Sequence, residues 1–402
     1  MVSLFKDELF EAQWLRTAGY SSYGGAELGE CLAIAGQIRE LDAGSWYVAW
    51  ASAAERLQTL ADRSLSHGRV ESARGAYLRA ANYWRAAYTF LIGSSPVEPR
   101  LISAYRRQRE AFQAAVALMT PKVERVEIPY EGARLPGYLL RGGESSEARP
   151  TLIINGGYDS TAEEGYFLSG AAAVARGYTC LLFDGPGQGG ALIEDGLLFR
   201  PDWEAVIRPV VDFALSRPEV DPKRIALMGC SFGGYLAPRG ATGDARLAAL
   251  IADPGEASLE DEFKSRMPLL IAERMTSRSP WIAGPLQFIL RRRARHLTKG
   301  WGLRRGLWVH GVDQPLDYLR LIGDYSLKDL AGRISCPSLV CCAEDDDIGA
   351  TAKDLFDRLP QPKTFHTFGS NDGAGGHCEA GARVLFNQYV FDWLDDLPAF
   401  QP

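Results

Sequence analysis

The first third of the chain carries apolar residues at helical spacing, from Asp7 to about Met119. Between Ala49 and Leu91, alanines and large apolar residues recur at intervals of three and four, with an interruption at His67-Gly68. A stripe of this kind must pack against other parts of the protein. The pattern therefore predicts an all-helical N-terminal domain over residues 1–122. The positions that share one face of its best helix are Ala73, Tyr77, Ala80, Trp84 and Ala87.

After Thr120-Pro121 the pattern changes to short apolar runs of strand length. The first two lie within 123–142 and are separated by a turn at Glu131-Gly132. Later runs alternate with glycine-rich turns and helical stretches, and a last helix is predicted from Ala380 to about Asp396. This alternation predicts a mostly parallel sheet with helices on both faces, an α/β domain over residues 123–402. Its later strand candidates lie at 150–157, 178–187, 224–231, 247–255, 337–346 and 363–368.

Between Pro254 and Ser335 the alternation of strands and helices stops. We interpret residues 255–335 as a helical cap inserted between two strands. Such a cap would lie above the carboxyl edge of the sheet, where the ligands of α/β proteins bind. Together with the N-terminal helices it would enclose an apolar substrate pocket from two sides. The stretches with helical character are 267–275, 281–297 and 315–334.

Composition and charge narrow the functional classes. The chain has 402 residues and a net charge of −6, which gives no reason to expect a nucleic-acid partner. It contains no uncharged apolar window long enough to span a membrane, and its N-terminus lacks the pattern of a signal peptide. The 7 cysteines include no C-x-x-C pair, so neither a zinc site nor a disulfide framework is indicated. We expect a cytoplasmic protein that acts on a small molecule without metal or cofactor.

A candidate catalytic motif lies at residues 229–233, which have the form G-x-S-x-G with Ser231 at the centre. An apolar strand candidate precedes the motif and a helical stretch follows it. Strand, tight turn and helix are the context of a nucleophile elbow, in which flanking glycines permit the turn and expose the serine hydroxyl. The alternative is a structural serine in a glycine-rich turn. The context favours Ser231 as a nucleophile.

A serine hydroxyl needs a base within hydrogen-bonding distance. We select His377, because it lies in a glycine-rich loop after the last predicted strand and before the last helix. A loop in that position reaches the carboxyl edge of the sheet. The other four histidines lie in predicted helices, in the cap or inside a strand: His67, His296, His310 and His366.

The acid that orients the histidine is expected at a strand end between nucleophile and base. The turn after the strand candidate at 337–346 supplies three consecutive aspartates, of which the spacing favours Asp346. Asp345 and Asp347 remain alternatives from the same turn. Asp253, at the end of the preceding strand candidate, is a rival from another position.

An oxyanion hole requires two backbone N–H groups directed at the developing negative charge. We expect one from Phe232, directly after the nucleophile. The second should come from the turn after the strand at 150–157, from Gly157 or Tyr158, and Gly157 is favoured. Tyr158 is also expected to contact the substrate. The glycine-rich turn at 183–190 lacks the register of a dinucleotide-binding loop and is interpreted as a structural turn beside the site.

The order Ser231, Asp346, His377 resembles that of the α/β-hydrolases. More narrowly, the chain is similar to the family of 2,6-dihydroxypseudooxynicotine hydrolase and the fungal polyketide-shortening hydrolases. The resemblance implies cleavage of a C–C bond next to a carbonyl, in a β-diketone or aryl ketone, by a homodimeric enzyme. An esterase, lactonase or acyl-transferring cyclase remains the alternative, because its first steps are the same. The stretches that carry the resemblance are "GAYLRAANYWRAA", "NGGYDSTAEE", "FDGPGQG", "GCSFGGYLAPR" and "GAGGHCEAG".

Overall fold

The computed structural model describes residues 3–145, 147–266, 272–274 and 279–401. Before the first strand the chain forms helices wherever the apolar spacing predicts them. Asp7 caps the first helix by accepting hydrogen bonds from the N–H groups of Leu9 and Phe10. The predicted interruption at Gly68 is a loop in which this glycine has a φ of +72°. The helices are α1 (Glu8–Gly19), α2 (Leu28–Ala35), α3 (Ala43–Ser66), α4 (Val70–Ala87) and α5 (Pro99–Val116).

The N-terminal helices bury a core rich in aromatic side chains. Trp46 and Trp50 on α3 are fully buried, and Trp50 packs against Tyr83 on α4 with ring centroids 5.2 Å apart. The indole of Trp46 donates a hydrogen bond to the carbonyl of Ala86 (2.8 Å), so the polar atom of this buried ring has a partner. All five positions of the predicted α4 stripe are buried, which confirms that stripe.

The apolar runs after residue 122 form one eight-stranded sheet in the order β1-β2-β4-β3-β5-β6-β7-β8. The β1–β2 and β2–β4 pairs are antiparallel, and the remaining pairs are parallel. Every predicted run corresponds to a strand. The strands are β1 (Val123–Tyr130), β2 (Ala133–Leu140), β3 (Arg149–Asn155), β4 (Thr179–Phe183), β5 (Val220–Cys230), β6 (Ala249–Asp253), β7 (Ser338–Ala343) and β8 (Lys363–Phe368).

Burial along the strands follows from their places in the sheet. Every residue of β4 and β6 is buried, as expected for parallel strands covered on both faces. The edge strand β1 instead alternates between buried and exposed residues over most of its length. Its hairpin to β2 turns through Glu131 (φ +43°) and Gly132 (φ +82°). Two consecutive positive φ angles are typical of the tight turn that matches the twist of paired strands.

Alternate strand residues enter two separate cores. Leu152 and Ile154 of β3 pack with the N-terminal helices, whereas Ile153 between them packs on the opposite face. The helix before β5 and the helix after it cover that opposite face, together with the segment between β6 and β7. The helices that flank the sheet are α6 (Ala162–Gly165), α7 (Ala171–Ala175), α8 (Gly189–Ile193), α9 (Glu204–Leu215), α10 (Gly233–Ala241), and, near the C-terminus, Ala352–Arg358 and Arg383–Asp396.

The segment between β6 and β7, predicted as a cap, contains helices and no strand in its described part. It contacts the N-terminal helices, because Trp301 donates to the carbonyl of Thr89 (2.8 Å) and Thr298 donates to Asp7 (2.9 Å). Most of the predicted helical stretch 267–275 lies outside the described residues. No helix in the described ranges is long and apolar enough to cross a membrane. Within the described part of this segment the α-helices are α11 (Leu259–Ser265), α12 (Pro280–Ala294), α13 (Trp301–Val309) and α14 (Pro315–Leu321), so Ala352–Arg358 is α15 and Arg383–Asp396 is α16.

Candidate active site

Ser231 lies in the turn between β5 and α10 with a φ of +59°, a left-handed conformation that costs a non-glycine residue about 1–2 kcal/mol. Its N–H donates to the carbonyl of Asp253 at the end of β6 (2.6 Å), and its own carbonyl accepts from Gly234 (2.7 Å). A Cβ atom at Gly234 would lie only 1.7 Å from the carbonyl oxygen of Pro254. The glycine therefore permits the close packing that holds the serine turn.

The structure brings Ser231, His377 and Asp346 together across three strand ends. His377 Nε2 lies 2.9 Å from Ser231 Oγ, and His377 Nδ1 lies 2.7 Å from Asp346 Oδ2. The N–H of Ile348 donates to the other carboxylate oxygen of Asp346 (3.0 Å). With Nδ1 donating to the carboxylate, Nε2 is the ring nitrogen whose lone pair is available to accept a hydrogen bond from the Ser231 hydroxyl.

The charge state of Asp346 suits this arrangement. Burial alone would raise the pKa of its carboxyl, but the charge and hydrogen bond of His377 and the N–H of Ile348 outweigh burial and lower that pKa. The Asp346 side chain is only 4% exposed, whereas that of His377 is 34% exposed. The carboxylate of Asp346 is thus buried and ionised, whereas the imidazole of His377 stays accessible to solvent.

The alternative aspartates have other partners. Asp345 and Asp347 are exposed, and Asp345 accepts a hydrogen bond from Ser370 in the segment that leads to His377. Asp253 is buried, and its carboxylate lies 3.6 Å from the guanidinium of Arg383. Within the described ranges, Asp346 is the carboxylate that contacts His377, a choice that the spacing had left open.

The backbone donors near Ser231 differ from the expectation for Gly157. The N–H of Gly157 donates to Ser160 Oγ (2.8 Å), so this amide already has an acceptor. The N–H groups of Tyr158 and Phe232 have no acceptor among the described residues. A Cβ at Gly157 would lie 2.7 Å from Ser231 Cβ, which shows why a glycine stands there. The Tyr158 N–H, the alternative donor, is thus left without an acceptor in the described part of the chain, and an oxyanion hole built from Phe232 with Gly157 or Tyr158 stays a prediction.

The glycine-rich turn at 183–190 is hydrogen-bonded to the turn after β3. Gln188 donates through Nε2 to the carbonyls of Gly156 (2.6 Å) and Gly157 (3.0 Å). Its Oε1 atom accepts from the N–H of Gly185 (3.0 Å), which fixes the amide orientation. One buried side chain thus ties this turn to the turn after β3, consistent with a structural role.

A buried network of tyrosines and one histidine extends from the site into the cap segment. The ring of Tyr158 stacks on Phe232 with centroids 4.2 Å apart, and its hydroxyl contacts His310 Nε2 (3.1 Å) and the Tyr318 hydroxyl (3.3 Å). Tyr325 bonds the other ring nitrogen of His310 (3.1 Å). Burial, and then the charge of Arg305, lower the pKa of His310 to about 3. The imidazole is therefore neutral at physiological pH.

Two buried carboxyl groups interact electrostatically with Asp346. Glu262 on α11 accepts a hydrogen bond from Thr351 (3.0 Å) and pairs with Arg266 (3.0 Å). Burial raises the pKa of Glu262 to about 7, with the Asp346 charge adding to the rise and Arg266, Thr351 and His377 opposing it. Burial, followed by the charge of Glu262, also raises the pKa of Glu256 well above its usual value.

Sequence reasoning missed these carboxyl groups and did not group the tyrosines with His310. The nearest signal for Glu256 is its position two residues after Asp253-Pro254, just past the carboxyl end of β6. For the tyrosines and Glu262, the helical spacing of residues 255–335 does not indicate which face of each helix packs inward. Their assembly depends on contacts between residues that are far apart in the chain.

The strand order, with a serine turn after β5 and an Asp and a His after β7 and β8, defines the class of α/β-hydrolases. Residues 151–385 match the alpha/beta hydrolase family, and the chain belongs to that family. Residues 37–255 also match the family described as esterase FrsA-like.

Curated relatives extend the similarity over nearly the whole chain. Hydrolase acrC of Aspergillus aculeatus is 36% identical over 430 residues, with 98% of each chain covered. The 20-hydroxy-prefusarin hydrolase FUS2 of Gibberella moniliformis is 36% identical over 421 residues, again with 98% of each covered. These relatives confirm the resemblance drawn from the motifs, and the protein is a hydrolase.

Solved structures share the fold, including the N-terminal helices. The structure of 2,6-dihydroxy-pseudo-oxynicotine hydrolase superposes with a TM-score of 0.76 at 23% identity, covering 95% of this chain and 96% of that one. A second structure, AbyA5, has a TM-score of 0.63 at 17% identity and covers 94% of both chains. At these identities the likeness concerns the fold alone.

Proposed function

We propose that this hydrolase uses Ser231 as nucleophile, His377 as general base and Asp346 as the acid that orients the imidazole. The observation that carries the proposal is the continuous chain of contacts from Ser231 Oγ to His377 Nε2 (2.9 Å) and from His377 Nδ1 to Asp346 Oδ2 (2.7 Å). This is the geometry through which a serine hydroxyl becomes nucleophilic near neutral pH.

In the first step, Ser231 Oγ attacks a substrate carbonyl carbon while its proton passes to His377 Nε2. The carbonyl oxygen becomes an oxyanion, which the N–H groups of Phe232 and Tyr158 stabilise. The bond to the leaving group then breaks, and that group departs with the electron pair. Water attacks the resulting acyl-enzyme, His377 takes the water proton, and the acid is released with Ser231 restored.

The leaving group that we propose is a carbon: the substrate is a β-diketone or aryl ketone, of a polyketide- or alkaloid-like type, cleaved next to its carbonyl. The departing enolate must receive a proton. Glu262, whose pKa lies at about 7, holds a proton over much of the neutral range and lies within electrostatic reach of His377 and Asp346. The relative named as a 20-hydroxy-prefusarin hydrolase supports a substrate from specialised metabolism.

The second candidate is hydrolysis of an ester or lactone, or acyl transfer that closes a ring. The match of residues 37–255 to the esterase FrsA-like family favours it. The chemistry begins in the same way, but an alkoxide or thiolate leaves and carbon needs no proton. The two candidates therefore differ in their dependence on Glu262.

The first experiment compares wild type with Ser231→Ala, using a fluorophosphonate probe and intact-protein mass spectrometry. We expect one covalent adduct on wild type and none on the variant, with matching circular dichroism spectra. Folded wild-type protein that takes no label would contradict the nucleophile assignment. The substrate class is then tested with benzoylacetone and p-nitrophenyl butyrate. Turnover of the ester without any cleavage of the diketone would favour the second candidate.

The wider organisation stays a prediction. We propose a helical domain over 1–122 and a catalytic domain over 123–402 with its cap at about 255–335, in a cytoplasmic homodimer that binds neither nucleic acid nor membranes. Contacts between the cap and the N-terminal helices, such as that of Trp301 with Thr89, support a cap that closes against both domains. Light scattering during gel filtration tests the dimer, and a monomeric mass at micromolar concentration would contradict it.

A further inference from the structure

A buried cluster of charges lies directly beside the proposed oxyanion hole. Asp159, in the turn after β3, pairs through Oδ2 with Arg16 on α1 (2.9 Å) and with Arg85 on α4 (2.7 Å). Glu164 also pairs with Arg16 (2.6 Å) and with Arg85 (3.4 Å). The side chains of Asp159, Glu164 and Arg85 are at most 6% exposed. Two helices of the N-terminal region therefore hold a turn of the catalytic sheet.

The cap contacts the same aspartate from another direction. Arg305 on α13 lies 3.5 Å from Asp159 Oδ1. Its guanidinium also covers the rings of Tyr158 and Trp301, each with a centroid distance of 4.6 Å. Asp159 is thus the point at which the N-terminal helices, the cap and the sheet edge meet.

Stability alone is a weak reason for this cluster. Removing charges from water costs several kcal/mol per ion, and buried ion pairs commonly do no better than apolar residues of similar volume. Burial would raise the pKa of Asp159, but the charges of Arg16, Arg85 and Arg305 outweigh burial and hold that pKa far below its usual range. The carboxylate is therefore ionised, and its three partners determine where it lies.

The position of Asp159 bears directly on Tyr158, because the two are adjacent in the chain. The Tyr158 N–H is the amide that we assign to the oxyanion hole, and the value of such a donor depends on its placement relative to the oxyanion. Three guanidinium groups face two carboxylates in the cluster, which leaves a net positive charge near the place where negative charge develops.

We propose that Asp159 is a positioning residue of the oxyanion hole. Held by Arg16, Arg85 and Arg305, it fixes the turn that carries the Tyr158 amide. The N-terminal helices and the cap would then contribute to stabilising the transition state as well as enclosing substrate. This inference rests on the proposed function.

The decisive variant is Asp159→Asn, which keeps shape but removes the charge. A fluorophosphonate places its phosphoryl oxygen in the oxyanion hole, so the rate of labelling at Ser231 reports on that hole. We expect Asp159→Asn to slow labelling by about 10- to 100-fold and to lower kcat for p-nitrophenyl butyrate similarly, with KM changed by less than about threefold.

The matched control is Asp244→Asn. Asp244 is also a buried aspartate paired with an arginine, Arg246, but it follows α10 at the opposite edge of the sheet. We expect it to lower Tm by an amount comparable with Asp159→Asn while labelling stays within about twofold of wild type. Equal loss of labelling rate in both variants would show that general destabilisation explains the effect and would overturn the inference.

A second pair of variants serves if Asp159→Asn does not fold. Arg305→Met keeps the contact with the rings but loses the charge, and Arg305→Lys restores the charge. We expect labelling to slow by about 3- to 10-fold in Arg305→Met and to recover partly in Arg305→Lys. Labelling of Arg305→Met at the wild-type rate, in folded protein, overturns the inference.

The outcomes separate this inference from the proposed function. If wild type is labelled at Ser231 and folded Asp159→Asn is labelled equally fast, only the positioning role of Asp159 is wrong. If wild type takes no label, both the positioning role and the proposed function are wrong.

Discussion

The two sides of the candidate active site differ in their state of charge. At the sheet edge, Asp346 is ionised and lies 2.7 Å from the imidazole of His377. On the cap side, His310 is neutral, with its pKa lowered to about 3, and burial raises the pKa of Glu262 to about 7. In the mechanism that we propose, the edge supplies a nucleophile and a base, whereas the cap side supplies neutral hydrogen-bonding groups and a proton.

The difference has a structural cause. Asp346 starts a turn at a strand end, where the free N–H of Ile348 and the imidazole of His377 solvate its charge. Burial, and then the guanidinium charge of Arg305, favour the neutral form of His310, whose ring nitrogens lie within hydrogen-bonding distance of the Tyr158 and Tyr325 hydroxyls. The turn after β7 therefore stabilises the anion of Asp346, and the buried surroundings of His310 keep its imidazole uncharged.

The largest effect should come from neutralising the anion at the edge. We expect Asp346→Asn to lower kcat by about 10³- to 10⁴-fold, because the amide favours the wrong tautomer of His377. Asp347→Asn is the control, since Asp347 is exposed in the same turn, and should stay within about twofold of wild type. Steady-state kinetics on one ester probe measures both. Equal losses in the two variants would remove the distinction between the neighbouring aspartates.

The second-largest effect on activity should come from a steric change at the sheet edge. The methyl group of Gly157→Ala would lie 2.7 Å from Ser231 Cβ, so the turn or the nucleophile must move. We expect labelling by a fluorophosphonate to slow by about 10²- to 10³-fold. The control is Gly75→Ala, in the middle of α4 with no atom within 4 Å of the new methyl group, which should leave labelling unchanged. A Gly157→Ala enzyme of normal reactivity would contradict the close packing at this turn.

The cap-side proton source is tested by Glu262→Gln. We expect cleavage of benzoylacetone to fall by about 10- to 100-fold and that of p-nitrophenyl butyrate to fall much less. Because the pKa of Glu262 is raised to about 7, its proton is present below that pH and lost above it. In wild type the ratio of diketone to ester turnover should therefore decline as pH rises through about 7, and in Glu262→Gln it should not. Parallel pH profiles for both substrates in wild type would remove Glu262 from the mechanism.

The smallest effect on turnover should come from His310→Phe. The change leaves the hydroxyls of Tyr158 and Tyr325 without their shared partner and should destabilise the fold by about 2–4 kcal/mol. In the unfolded chain His310 binds a proton below about pH 6.5, whereas in the folded protein its pKa is lowered to about 3. Wild type therefore loses stability as the pH falls from about 6.5 to about 3.

His310→Phe should lack this part of the acid sensitivity, as urea unfolding at several pH values would show. His366→Phe is the matched control, since the His366 ring stacks on Tyr389 with centroids 3.7 Å apart and its side chain has no hydrogen bond within the described ranges. Burial also lowers the pKa of His366, but less than that of His310, so the control should keep most of the acid sensitivity of wild type. Identical pH dependence in all three proteins would contradict the buried, neutral state of His310.

Much of the site could be predicted from the chain because strand, turn and helix are local. Ser231 and His377 follow strands whose apolar runs are visible in the sequence, and both lie where those runs place them. The choice of Asp346 over its neighbours could not be settled in this way, because a turn of three aspartates orients each side chain differently. Gly157 shows the same limit for the backbone: its N–H donates to Ser160, which a pattern of residue types does not reveal.

The sequence by itself determined the helical N-terminal region, the order of the eight strands along the chain, and the strand ends that carry serine, acid and histidine. Hydrophobic periodicity and glycine turns extend over only a few residues, so they can be recognised in the sequence without knowledge of the fold. Only the tertiary structure decided which amides are free and that Asp159 joins the N-terminal helices to the cap. It also decided that His310 and Tyr318 meet the hydroxyl of Tyr158. Those contacts join residues far apart in the chain, and their charge states depend on burial, which exists only once the chain has folded.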